Sequence, residues 1–200
     1  MTTTPPTIVA VEMGYGHLRP AHALADFLGG QVLEADRAPL AGSDEQRTWA
    51  RARRNYEALT RLSQLPLVGR PLSPLLGLLT AIPPLYDRHG PARDLSNPTW
   101  PVHLVDRMAA RGLGRGLVER LRATATPLLT TFFVPALIAD RQRDLDVRCV
   151  VTDSDINRVW APMHPATTRI RYFAPSTRVV RRLVAYGVTR LANRPKPAIG

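Results

Sequence analysis

Lysine is almost absent from this chain: of 27 basic residues, only Lys196 is not an arginine. That skew reads as a compositional bias, so the net charge of +11 is by itself weak evidence for a polyanionic partner. Cysteine occurs once, at Cys149, which excludes an internal disulfide and fits a reducing compartment. Aromatic residues make up 6% of the chain, and only Trp160, Tyr172, Phe173 and Tyr186 punctuate its basic C-terminal stretch. A binder of single-stranded nucleic acid needs more stacking platforms than that, so no nucleic-acid partner is expected. Long uninterrupted apolar runs are missing too. The greasiest stretch, Leu65 to Tyr86, is broken by Arg70 and by Pro66, Pro71, Pro74, Pro83 and Pro84, which argues against a spanning helix. The opening MTTTPPT has neither a basic nor an apolar signal region, and no secretory signal is expected.

What remains is globular in balance, with 44% hydrophobic and 22% charged residues. Ile8 to Val11 is an apolar run long enough for a buried strand. Gly14-Tyr15-Gly16 reads as a turn, with Pro20 in the first turn of a helix. Ala21, Leu24, Ala25 and Leu28 recur at helical spacing, and Gly29-Gly30 ends the helix. A second strand starts at Val32-Leu33 and ends near Asp36. This strand–turn–helix–strand unit predicts parallel pairing and an α/β, Rossmann-like sheet. Asp44 to Gln64 reads as a helix with Trp49, Ala52, Tyr56, Leu59 and Ser63 on one face. A proline-rich segment follows. Val102, Val105, Ala109, Leu113, Leu117 and Leu121 then predict one amphipathic helix, interrupted in composition by Gly112, Gly114 and Gly116. Residues 41–125 are thus expected to form a helical, proline-rich insertion. Strands are expected again at Leu128–Phe133, at Val147–Val151 and at Ile170–Phe173. Pro135 opens a short helix, and Ser176 and Gly187 cap a last one. The expected organisation is one domain over 1–190 and a tail over 191–200.

Three patterns point to chemistry. His17 follows a strand and opens a helix, where open α/β sheets bind ligands. The positive end of a helix dipole favours the neutral imidazole that a general base needs, and glycines before it allow close approach of a ligand. A local packing or capping histidine would have the same spacing. A dinucleotide fingerprint with Asp36 as its ribose acid is disfavoured, because Arg19 stands where the third glycine belongs. Asp153-Ser154-Asp155 ends an apolar strand; two carboxylates so spaced can share a divalent metal on a pyrophosphate, or simply close a turn. After Asp155 there is no acid, and residues 156–200 carry nine basic groups, among them Arg169, Arg171, Arg178, Arg181 and Arg182. They are a candidate patch for an anionic membrane or a pyrophosphate.

Together these pieces resemble the N-terminal domain of GT-B glycosyltransferases of the monogalactosyldiacylglycerol synthase type and the lipid II N-acetylglucosaminyltransferase type. Gly14-Tyr15-Gly16-His17-Leu18-Arg19-Pro20-Ala21 is similar to their opening loop. Leu129 to Leu137 is similar to a stretch that often reads S-T-H-P-x-P-A. Val150-Val151-Thr152-Asp153 followed by Trp160 resembles V-T-D-x-x-x-H-x-x-W. Arg171 to Thr177, then Arg182-Leu183 and Gly187-Val188, resembles Y-F-V-x-S-E-x-V-x-x-R-L-x-x-x-G-V. Phe132 and Asn157 stand where those patterns have histidines.

The resemblance implies transfer of a hexose from a nucleotide sugar, expected to be UDP-linked, to a lipid acceptor. His17 would be the base on the acceptor hydroxyl. Gly14 and Gly16 would shape the donor phosphate loop, and Asp153 and Trp160 would serve the acceptor or the fold. No metal or other cofactor is implied. The expected partners are a lipid acceptor, an anionic membrane surface and a C-terminal donor domain acting in trans, since such enzymes hold the nucleotide in a second domain. The expected location is cytoplasmic, peripheral on the inner face of the membrane, with the 200-residue chain inactive alone. Two other functions fit the same residues: a non-catalytic module for anionic membranes, and a metal-dependent sugar-nucleotide enzyme using Asp153 and Asp155.

Overall fold

A computed structural model describes residues 5–13, 15–63, 82–86 and 92–189. Five parallel strands form one sheet in the order β2-β1-β3-β4-β5. They are β1 (Thr7–Ala10), β2 (Val32–Glu34), β3 (Leu128–Thr130), β4 (Val147–Val150) and β5 (Arg171–Phe173). The register places Val9 between Leu33 and Thr130 in the centre of the sheet. The chain steps one way from β1 to β2 and the other way from β1 to β3, so the strand order reverses beside β1. The protein is therefore a Rossmann-like α/β domain with a topological switch point between β1 and β3.

Side chains alternate across the sheet as strand geometry requires. Ile8, Ala10 and Leu129 face helix α1 (Tyr15–Leu28), whose small Ala21 and Ala25 let it lie close against them. Val9, Val11, Leu128, Val147, Cys149 and Tyr172 face the other way into the larger core. That layer holds α2 (Ser43–Ser63), α3 (Trp100–Ala110), α4 (Arg115–Thr124), α5 (Phe133–Asp140) and α6 (Thr177–Ala185). Trp49, Val102, Leu117, Leu121, Leu137 and Leu183 are buried in it together. The segment expected as an insertion thus supplies a large part of the main core. It is the crossover from β2 to β3 and not an appendage.

Two expected boundaries are corrected. Helix α1 begins at Tyr15, so Gly16 and His17 belong to its first turn and Pro20 lies inside it. Gly14 lies outside the described residues, as do the tail over 191–200 and most of the proline-rich stretch. The helix expected from Val102 to Leu121 is two helices. Between them Gly112 and Gly114 take positive φ of 100° and 78°, a conformation that L side chains avoid, so the chain turns there. Gly114 has no side chain with which to cap α4. Glu45, reaching across from α2, accepts from the backbone N–H of Gly114 at 2.9 Å and of Arg115 at 3.1 Å. A carboxylate at that end also suits the helix dipole. The expected caps of α6 are present: Ser176 Oγ accepts from Val179 N, and Gly187 at φ 88° lets Val188 N–H reach back to Leu183 O at 2.9 Å.

Among the described residues, no helix is long and apolar enough to cross a membrane.

Candidate functional site

The carboxyl ends of β1, β3 and β4 converge on one imidazole. His17 is half-buried in the first turn of α1, just beyond β1. Its Nδ1 lies 3.1 Å from the carbonyl oxygen of Thr131, the residue after β3. The same Nδ1 lies 2.9 Å from Oγ1 of Thr152, two residues after β4. Thr131, fully buried, donates its hydroxyl to the His17 carbonyl at 2.8 Å and ties the start of α1 to the end of β3. Among the described residues, the ring's Nε2 makes no hydrogen bond. His17 therefore sits in the crevice at the switch point, with one nitrogen held and the other unengaged.

Aromatic rings of the main core pack against the imidazole. The His17 ring centroid is 4.8 Å from Phe132 and 6.1 Å from Trp160. Phe133 lies 4.4 Å from Phe132 and 5.4 Å from Trp160, closing a tilted cluster. The segment carrying Trp160 is held from below by buried polar groups. Tyr172 donates its hydroxyl to Trp160 O at 2.7 Å, and Tyr186 donates to Ile156 O at 2.9 Å. Burial raises both phenols, that of Tyr186 to about 12, so they act as neutral donors. Arg158, only 3% exposed, donates to the carbonyls of Ser96, Ala161 and Pro162, and its burial lowers its affinity for the proton. On the open side, Tyr15 is exposed with the Arg19 guanidinium 5.2 Å above its ring.

Gly16 is helical, and a Cβ built on it would meet nothing within 4 Å. Neither packing nor backbone strain asks for glycine there.

The aspartates and arginines are placed differently from the sequence expectation. Asp153 follows Thr152 at the same edge of the sheet. Asp155 does not converge with it on a shared ion: its carboxylate is bound by Arg182 at 3.0 and 2.9 Å and by Arg178 at 2.7 Å. Burial alone pushes the Asp155 carboxyl up, but these guanidinium bonds outweigh it and hold the group at about 2. Arg182 is correspondingly no surface group: it is 1% exposed and also donates to Pro83 O. The other arginines do not share one surface. Arg171 pairs with Asp146 at the amino end of the sheet, and Arg169 bonds Arg143 O nearby. Arg178 and Arg181 are exposed on α6, beyond the opposite end of β5.

Asp36, weighed as a ribose acid, accepts from Glu12 N at 3.3 Å and closes the loop after β1. It also belongs to the carboxylate cluster Glu12, Glu34 and Asp36, where the Glu12 side chain is held low first by Arg37 and then by Arg53. The functional neighbours that sequence reasoning missed are Thr131 and Thr152 as partners of one nitrogen, and Phe133 in the aromatic cluster. Their signal is positional: each lies just past the end of an apolar strand.

No family model matches the chain, and no match is found among curated proteins or solved structures.

Proposed function

We propose that this domain is the acceptor side of a GT-B-type glycosyltransferase that moves a hexose from a nucleotide sugar to a lipid hydroxyl. The observation that carries the reading is His17 at the switch point of the sheet, with Nδ1 held and Nε2 making no hydrogen bond among the described residues. An unengaged imidazole nitrogen in a crevice is the group needed to take the proton of an attacking hydroxyl. Gly16 supports it, because a helical glycine with empty space above its Cα leaves room for a ligand to approach the backbone. The phosphates of the donor would then meet the amino end of α1, where backbone N–H groups favour negative charge. The nucleotide itself is held by a second Rossmann-like domain, continuous with this one or supplied in trans. The bound carboxylate of Asp155 speaks against the reading in which Asp153 and Asp155 grip a metal-bound pyrophosphate.

The decisive experiment pairs this domain with a nucleotide-sugar-binding domain encoded alongside it. Transfer from UDP-hexoses to diacylglycerol in vesicles is then followed. His17→Gln is expected to lower transfer by about 100-fold or more while the domain stays folded. Equal transfer by the variant would show that His17 is not the base. Gly16→Ala is expected to leave stability unchanged or raise it by up to about 1 kcal/mol, as alanine does in a helix, yet to weaken transfer. Unimpaired transfer would remove the argument for close ligand approach.

A membrane face is supported by Trp100 and Leu104, four residues apart on α3 and 47% and 43% exposed. Sedimentation with vesicles should show binding that Trp100→Ser and Leu104→Ser each weaken. Indifference to both would leave the acceptor to be delivered by another route.

A further inference from the structure

We infer that Thr152 is a positioning residue which, together with the carbonyl of Thr131, holds His17 in the Nδ1–H tautomer and so leaves the lone pair on Nε2. The inference deepens the reading of His17 as a base and rests on it for its consequence in transfer, although the tautomer is measurable without any activity.

The argument turns on what each neighbour can do. The Thr131 carbonyl, 3.1 Å from Nδ1, can only accept a hydrogen bond. If Nδ1 carried its lone pair, two lone pairs would face each other at that distance, and Thr152 would have to donate its hydroxyl proton into the same crowded spot. If Nδ1 carries the proton, both the carbonyl and Thr152 Oγ1, at 2.9 Å, accept it in one forked bond. The second arrangement leaves no lone pairs opposed at Nδ1. It also reverses the preference of a free histidine side chain, which carries its proton mainly on Nε2. Thr131 cannot drift away, because its own hydroxyl is anchored to the His17 carbonyl at 2.8 Å. Among the described residues, no carboxylate hydrogen-bonds to this ring. A neutral carbonyl and a hydroxyl thus fill the orienting role that an acid fills in other histidine sites. When Nε2 takes up a proton, the same two oxygens still accept from Nδ1–H and the ring need not turn.

The test is long-range ¹H–¹⁵N correlation NMR on the ¹⁵N-histidine-labelled chain, at a pH where the ring is neutral. Wild type is expected to show a pyrrole-type Nδ1 and a pyridine-type Nε2 for His17, assigned by their loss in His17→Gln. Thr152→Val, of nearly the same shape, is expected to shift the population towards Nε2–H, and Thr152→Ser to restore it. In the paired transfer assay the valine variant should lose kcat with KM little changed, and the serine variant should recover it. A wild-type ring protonated on Nε2 would overturn the inference. So would a tautomer unmoved by Thr152→Val, or by Thr152→Ala if the valine variant does not fold. A ring found in the Nδ1–H form in a domain that never supports transfer would retire the glycosyltransferase reading and leave the positioning role of Thr152 standing.

Discussion

Replacing Arg182 with methionine is expected to cost about 3 to 5 kcal/mol of folding stability, read as a lower midpoint in urea unfolding. Domains of this kind are stable by only about 5 to 15 kcal/mol, so the loss would be close to disabling. The reason is what stays behind. Arg182 binds both oxygens of Asp155, at 3.0 and 2.9 Å, and also donates to the Pro83 carbonyl, tying the stretch 82–86 to α6. Without it, the half-buried Asp155 keeps the Ile156 N–H at 2.9 Å and, as its one charged partner, Arg178, whose side chain is 67% exposed and screened by solvent. Removing both charges, as Arg182→Met with Asp155→Leu, should recover much of the loss, because a buried ion pair is costly mainly when broken. The pair also sets an acid limit. Asp155 is held at about 2 in the folded chain against an ordinary 3.8, so its contribution is complete above pH 4 and is lost as pH falls through about 2. By linkage that contribution is about 2 kcal/mol, and Arg182→Met should flatten this part of the pH–stability curve. An unchanged acid limb would mean that Asp155 is not the group responsible.

Gly116→Ala is expected to destabilise by about 3 kcal/mol or more. A Cβ on Gly116 would stand 2.3 Å from Leu40 O and 3.1 Å from Leu40 C. Both are backbone atoms of the turn after β2, so no side chain can swing aside. Either α4 must lift off that turn or the turn must move, and Glu45 of α2, the helix that follows the turn, is bonded to the start of α4 and resists the shift. Gly42→Ala is the matching control, since a Cβ there meets nothing within 4 Å and its backbone is not left-handed. That variant should change stability by less than about 1 kcal/mol. Equal thermal midpoints for the two variants would show that α4 does not need the close approach.

Much of the sheet is legible in the residues because its signals are local. Ile8 to Val11, followed by small residues at helical spacing and then Gly29, specifies a strand and a close-packed helix without reference to the rest of the chain. Ser176 and Gly187 mark α6 in the same way. The break at Gly112–Gly114 was written there too, as glycines in a helical pattern, but a continuous apolar stripe outweighed them. The role of Arg182 was legible only as periodicity: Val179, Arg182, Leu183 and Tyr186 share one stripe, so an arginine in an apolar row belongs inside. Counted as charge, it looks like surface. Within the site, His17 stands out by its place after a strand. Its partners do not, because which strand ends lie beside β1 depends on strand order, a property of the whole sheet and not of any short segment.

That dependence has a consequence for how the domain assembles. The contacts of His17 join it to residues 114 and 135 positions away in sequence. Contacts of such range form slowly, after the loops between them have closed. Among the described residues near the histidine in sequence, none hydrogen-bonds its ring, so a nascent or partly unfolded chain carries an ordinary, freely turning imidazole. The ordered ring is then a property of the finished sheet alone. Its nitrogen signals should appear during refolding only with the last cooperative step, making one side chain a gauge of whether β1, β3 and β4 have all found their places.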